Sequence, residues 1–427
     1  MMPARIRRFR PRDGHSRSLC KDIGLALRCK LQGRPVQRIL RERGTAKALW
    51  YPSGISGTVA LGKTVRRGWR VIDFFPVTGP LLRCLEPELA HTVTVRLLAT
   101  GLTPPLAGKD DPVLRQRVWG LDFPNPVGMA AGFDKNGEVM DGLLALGFGS
   151  VEVGTVTPLP QPGNPKPRCF RLPEQQGMIN RFGFNSQGHA AVAARLTAYR
   201  QRRNRRPGVI GANIGRNKES GDAVNDYVAG VYVFAPICDY LAINVSSPNT
   251  PGLRALQDRG PLTELLTRVL EARADLCEKR TPPLLLKIAP DLSDDDLAAV
   301  AEVSLGVGID GLIVSNTTIG RPEVAHLPVA AEPGGLSGKP LFEVSTRVLR
   351  DLYRLTGGRL PLIGVGGIAS AEDAYAKIRA GATLLQLYTA LVYQGPRLVR
   401  DIKQRLPEFL KRDGFATLAA AVGADAR

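Results

Sequence analysis

The sequence predicts an α/β fold, a (β/α)8 TIM barrel preceded by a small helical domain, and three observations carry that expectation. From about residue 115 the chain alternates short β-rich runs with helical stretches, and eight such runs occur. Most are continuously apolar rather than alternating, as parallel strands covered on both faces must be. Side chains able to do chemistry gather where those runs end, the end at which such barrels build their sites. A doubly wound open sheet is the runner-up.

The elements follow in order. Residues 1–66 are Arg-rich, acid-poor and broken by Gly and Pro, so they read as a basic extension of low order. Residues 1–70 hold 18 Lys and Arg against three acids, which accounts for most of the net charge of +19 and leaves the body near neutral. A translated leader upstream of the true start, a lipid-facing arm, an organellar transit peptide and a nucleic-acid arm all share this composition. Nucleic acid is the least favoured, because Phe9 is the one aromatic residue before Trp50 and base stacking needs more.

Residues 67–110 read as a helical domain. Leu81, Leu82, Leu85 and Leu89, then Val93, Leu97 and Leu98, recur at helical spacing, with Pro80 and Pro87 as punctuation. Two helices are expected, over 78–85 and 87–99. They either pack on the main domain or form a lid for a membrane surface or apolar ligand. The greasy Val71–Val77 stretch behind Arg66, Arg67 and Arg70 suits the second role.

The barrel is expected over 111–410, with a tail at 411–427. Its strands are read at 127–131, 150–154, 209–214, 240–245, 284–289, 311–316, 362–367 and 384–389. Ser293 before Asp294–Asp296, and Ser370 before Glu372 and Asp373, look like N-caps with acids in the first turn. The interval 157–208 is too long for one connection and predicts an excursion over the barrel mouth.

Composition excludes several classes. The six cysteines form no CxxC pair and the four histidines no HxxxH pair, so neither a metal site nor a disulfide framework is expected. A reducing compartment fits. No apolar run is long enough to span a membrane.

Reading the strand ends gives Gly132 and Lys135, Thr155, Asn213, Asn244, Lys287, Asn316 with Thr317, Gly366-Gly367 and Tyr388-Thr389. The loop after the fourth strand, Asn244 through Gly252, offers Asn244, Ser247, Asn249 and Thr250 with no charged residue among them. Such a loop grips a neutral, amide-rich ring and presents a hydroxyl as proton acceptor. Gly367, Tyr388 and Thr389 follow the last two strands, where this fold commonly holds phosphate. Gly364 through Ala369 formally matches a dinucleotide fingerprint, yet it lies on the seventh strand with no acid near 389 to hold a ribose. Lys287 sits inside an apolar strand and needs an anion, either a ligand's or an internal carboxylate.

These motifs resemble the dihydroorotate dehydrogenase family. The matching blocks run in order: Ala130–Gly137, Gly154–Pro158, Gln161–Gly163, Ile179–Asn185, Asn213–Lys218, Asn244–Gly252, Lys287–Leu292, Ser315–Thr318, Gly334–Gly338 and Ile363–Ile368. The resemblance covers residues 70 to 405. It also selects a class: the family's soluble-acceptor members typically have cysteine as base, whereas position 247 is serine, as in the quinone-dependent, membrane-associated class. Glu86–His91 is similar to that class's N-terminal helical domain. An FMN barrel using NAD or fumarate is the alternative.

The resemblance implies one FMN per subunit, held by Ala131, Gly132, Phe133, Asp134, Lys135, Thr155, Asn213, Asn244, Lys287, Ser315 and Gly338, with its phosphate near Gly367, Tyr388 and Thr389. It implies dihydroorotate, and its product orotate, against Lys135, Asn180, Arg181, Phe182, Gly183, Phe184, Asn244, Asn249, Asn316 and Thr317. Ser247 is implied as the base that takes a proton from ring carbon 5 while hydride leaves carbon 6 for the flavin, with Thr250 and Phe184 near the proton's exit. A membrane quinone would reoxidise the flavin in a second half-reaction. The class implies a monomer attached peripherally to the cytoplasmic face of a cell inner membrane, the mitochondrial inner membrane being the alternative, with no nucleic-acid partner.

Overall fold

The chain enters through two helices, α1 (Phe75–Cys84) and α2 (Pro87–Ala99), close to the expected pair. Proline supplies the N1 position of α2, and the Glu86 carboxylate caps it by accepting from the backbone of Glu88 and Leu89. This computed structural model describes residues 75–101, 108–276 and 281–427. The readings made on residues 1–66 therefore lie outside the described residues. Everything described belongs to one compact unit.

A short antiparallel hairpin follows, β1 (Gln116–Val118) and β2 (Leu121–Phe123). Next come β3 (Val127–Met129) and β4 (Ser150–Val156), then the excursion strands β5 (Cys169–Leu172) and β6 (Gly177–Asn180). The chain continues with β7 (Val209–Ile214), β8 (Tyr240–Asn244), β9 (Leu284–Ile288) and β10 (Gly311–Val314). It finishes with β11 (Gly335–Gly338), β12 (Leu362–Val365) and β13 (Ala382–Leu387).

The eight expected runs become a closed barrel of parallel strands in the order β3-β4-β7-β8-β9-β10-β12-β13, with β13 returning to β3. The (β/α)8 reading stands and the open sheet does not. Continuous burial along β4, β7, β8 and β9 explains why those segments do not alternate. Two apolar layers result. The larger lies between barrel and helices, with Leu143, Ile210, Leu265, Val300 and Leu349 fully buried. The smaller fills the barrel interior, where Tyr240, Leu285 and Ile313 meet Val118 and Phe123 from the β1–β2 hairpin. That hairpin plugs the barrel, and the Trp119 indole donates to the Asp310 carbonyl at 2.7 Å.

Both expected N-caps form. Ser293 makes a full capping box with Asp296, and the Ser370 hydroxyl accepts from the Asp373 amide. Each is worth about 1 kcal/mol. The excursion at 157–208 builds β5 and β6, and β11 joins them in an antiparallel sheet. This small sheet brings Asn180 and Phe182 over the barrel mouth. The segment 411–427 packs back on the barrel, with Leu418 and Ala421 fully buried. Among the described residues no helix is long and apolar enough to cross a membrane, and no cluster of potential metal ligands occurs.

Candidate active site

A cavity opens at the C-terminal ends of the barrel strands. Lys135, Thr155, Asn244, Ser247, Lys287, Ser315, Asn316, Thr317, Tyr388 and Thr389 line it, as do Ala131, Gly132, Gly338 and Gly367. The excursion closes it from above with Asn180, Phe182, Gly183 and Phe184, and the loop after β8 adds Asn249. Sequence reading thus brought most of its expected residues to one place.

Five do not line it, among them Thr250, which is buried in the loop after β8. Asn213 stands behind Thr155 and Asn244. Phe133 lines a different cavity described below. Asp134 turns inward, its carboxylate accepting from the Glu138 and Val139 amides at 2.8 and 2.9 Å. Arg181 points away from the mouth to pair with Glu332 at 2.6 Å and to cover the Phe170 ring.

The polar floor is a connected network. The Thr155 hydroxyl donates to Asn213 Oδ1 at 2.5 Å, and Asn244 Nδ2 donates to Thr155 Oγ1 and Asn213 Oδ1 at 2.9 and 3.1 Å. Asn213 Nδ2 in turn donates to Glu152 at 2.8 Å. On the other side, the Ser246 hydroxyl donates to Asn244 Oδ1 at 2.9 Å and accepts from Asn316 Nδ2 at 3.0 Å. Every amide is therefore oriented by a neighbour, which fixes which edge faces the cavity.

Charge is sparse. Lys287 is 5% exposed and lies 3.8 Å from Glu152, which is fully buried. The internal carboxylate left open by the sequence is thus present. Burial pulls Lys287 below its ordinary pKa and Glu152 resists that pull. Burial also lowers Lys135, to about 8. Its ammonium donates to the Gly132 carbonyl at 2.8 Å and sits 4.6 Å from the Phe182 ring centre. Ser247 is 6% exposed, and its oxygen accepts from the Asn249 amide at 3.2 Å.

At one side the wall is backbone. Gly366 and Gly367 both have positive φ, and a Cβ at Gly367 would lie 2.4 Å from the Phe342 Cα. Only glycine fits, and its bare amide edge can approach a ligand closely. The Thr389 hydroxyl, 2.9 Å from that of Ser337, completes this corner.

A second, largely apolar cavity lies between α1, α2 and the barrel, lined by Phe75, Leu82, His91, Leu98, Phe133 and Leu391. Cys169, Met178, Phe182 and Tyr388 line both cavities. The His91 ring nitrogen Nε2 lies 2.8 Å from the Phe133 carbonyl oxygen, and burial lowers its pKa to about 4. Burial raises the Cys169 thiol to about 12. Sequence reading missed Cys169, Met178 and Ser337. The two strands β5 and β6 carry Cys169 and Met178, and no β pattern was recognised there.

The fold and the paired cavities define a (β/α)8-barrel protein that binds small ligands at its mouth. Residues 113–410 match the family model described as dihydroorotate dehydrogenase. A relative from Parvibaculum lavamentivorans, named dihydroorotate dehydrogenase (quinone), is 58% identical, with 83% of this chain and 99% of the relative covered. The Mus musculus dihydroorotate dehydrogenase (quinone), mitochondrial, is 52% identical over 81% and 89%. A crystal structure of DHODH from Eimeria tenella in complex with ferulenol superposes with a TM-score of 0.76 at 43% identity, covering 80% of this chain and 96% of that one. The chain belongs to the dihydroorotate dehydrogenase family.

Proposed function

We propose that this chain oxidises dihydroorotate to orotate with FMN as its redox cofactor and a quinone as electron acceptor, a step of pyrimidine biosynthesis. The observation that carries the reading is the pair of cavities with a common wall. One is polar and amide-lined, suited to a ring diamide. The other is apolar and reached past two helices, suited to a quinone.

The residues fit FMN. Ring-edge donors and acceptors come from Thr155, Asn244 and Lys287, and the glycine-edged corner at Gly366, Gly367 and Thr389 suits a phosphate. Bound there, FMN would supply the acceptor for the hydride leaving carbon 6. The chain's own residues do the rest. Asn244, Asn249, Asn180 and Asn316 orient the substrate ring, each offering a donor and an acceptor. Lys135 balances the substrate carboxylate. Ser247 takes the proton from carbon 5. A hydroxyl is a weak base, so its burial beside the Asn249 amide needs a proton route onward. Lys287 holds positive charge near the cofactor ring.

Peripheral attachment to an inner membrane is the location that best suits α1 and α2. Val77, Leu81, Leu89 and Leu97 are 49–69% exposed on their outer surface, the kind of apolar face that inserts among headgroups. On this reading residues 67–110 serve as quinone access, 111–410 as the FMN barrel, and the enzyme works as a monomer.

An absorbance spectrum tests the whole. Purified protein should be yellow, bleach on adding dihydroorotate and recover its colour with a quinone. Protein that takes up FMN yet does not bleach would refute the assigned substrate.

A further inference from the structure

Three lysines are buried among the described residues, and two have carboxylate partners. Lys287 faces Glu152, and Lys403 meets Asp110 at 2.5 Å. Lys377 is fully buried and has none. Its ammonium nitrogen reaches the Ser345 hydroxyl at 2.6 Å and the Val365 carbonyl at 3.4 Å, and lies 5.4 Å from the Phe342 ring centre.

The location gives this orphan meaning. Val365, Gly366 and Gly367 line the main cavity, and Lys377 touches the first of them from behind. Ser345, its nearest partner, also lies 3.1 Å from the Gly366 carbonyl. The acids that face Lys377 are Asp373 on its own helix and Glu343 on the helix Phe342–Leu355. Strands β12 and β13 bring no titratable side chain. Neither acid contacts the ammonium, and the Asp373 carboxylate is engaged with the Ala369 amide at 2.9 Å. A buried lysine without an anion sheds its proton unless a ligand supplies one.

We propose that Lys377 is the buried counter-charge of the FMN phosphate, taking a proton from solvent as the phosphate settles against Val365–Gly367. The inference rests on the FMN reading above and adds to it a residue outside the cavity wall. Burial holds Lys377 well below its ordinary pKa, so the amine is ready to gain a proton when a dianion arrives. The step moves one proton from water to nitrogen and breaks no other bond. Lys377 is a positioning residue, acting through the glycine loop.

Riboflavin, which lacks the phosphate, separates this role from a structural one. The full chain is stripped of flavin and titrated with FMN or riboflavin, following flavin fluorescence. Lys377→Met, nearly isosteric, should weaken FMN by about tenfold or more, as loss of a charged partner does, and leave riboflavin unchanged. Wild-type affinity for FMN should fall as pH rises and the amine resists protonation, and the variant's should not. Equal effects on both flavins, or none, would overturn the proposal.

If the variant does not fold, calorimetry of the wild-type protein in two buffers of different ionisation enthalpy decides the matter. Greater proton uptake with FMN than with riboflavin is expected, and equal uptake refutes it. A wild-type chain that binds neither flavin removes the FMN reading itself.

Discussion

The ammonium of Lys287 and the carboxylate of Glu152 meet at 3.8 Å inside the barrel. Glu152 also accepts from Asn213, Tyr240 and Gln386 at 2.7–2.9 Å. One buried carboxylate thus orients residues from four different strands beneath the cavity floor. Glu152→Gln leaves a buried lysine without its anion and should cost about 3 to 5 kcal/mol. Urea unfolding measures this. Combining it with Lys287→Met should cost less than the two single changes summed, because the orphaned charge is gone.

Ser247→Ala removes the proposed base and little else, since the Ser247 oxygen only accepts from the Asn249 amide. Flavin reduction at neutral pH should fall about 100- to 10,000-fold, with bound flavin retained. Stopped-flow absorbance after mixing with dihydroorotate reads the rate directly. Wild-type rates in the variant would discredit the assignment.

Which parts of this molecule could be read from the chain alone depends on the range of the interactions. The eight barrel strands were legible because parallel strands advertise themselves locally as apolar runs. Ser247 and the asparagines were legible because this fold places strand ends together. Strands β5, β6 and β11 were not, since each is only four residues long and β6 meets β11 across more than 150 positions of chain. Glu152 lay in plain sight in the run read as 150–154. Its significance depends on β4 and β9 facing each other across a closed barrel, which no local pattern states. Arg181 and Asp134 sit within matching motifs, yet their side chains serve the loop around the mouth.

Removing residues 1–100 takes away α1 and α2, one side of the apolar cavity. Quinone reduction should suffer by about tenfold or more beyond any loss with a small soluble dye, a fully buried apolar side chain being worth about 1.5 to 3 kcal/mol. Steady-state rates with the two acceptors decide this. Equal losses would separate those helices from the acceptor site. Removing residues 1–66 alone should leave quinone turnover intact.

Two histidines held below their ordinary pKa should make the fold acid-sensitive. Burial lowers both His91 and His189 from 6.5 to about 4, and His189 Nε2 has no hydrogen-bond partner. The unfolded chain therefore binds more protons between those values, so stability present above pH 6.5 is lost as pH falls toward 4. The urea midpoint should decline through that window, and less steeply in His189→Leu. An unchanged slope would place the acid sensitivity elsewhere.

The partition formed by Cys169, Met178, Phe182 and Tyr388 carries no charge. Burial keeps the thiol and phenol protonated, and Met178 and Phe182 bring no ionisable group, so neutral side chains divide the greasy chamber from the polar one. On the proposed assignment, a single uncharged wall would face a polar reagent on one side and a greasy one on the other.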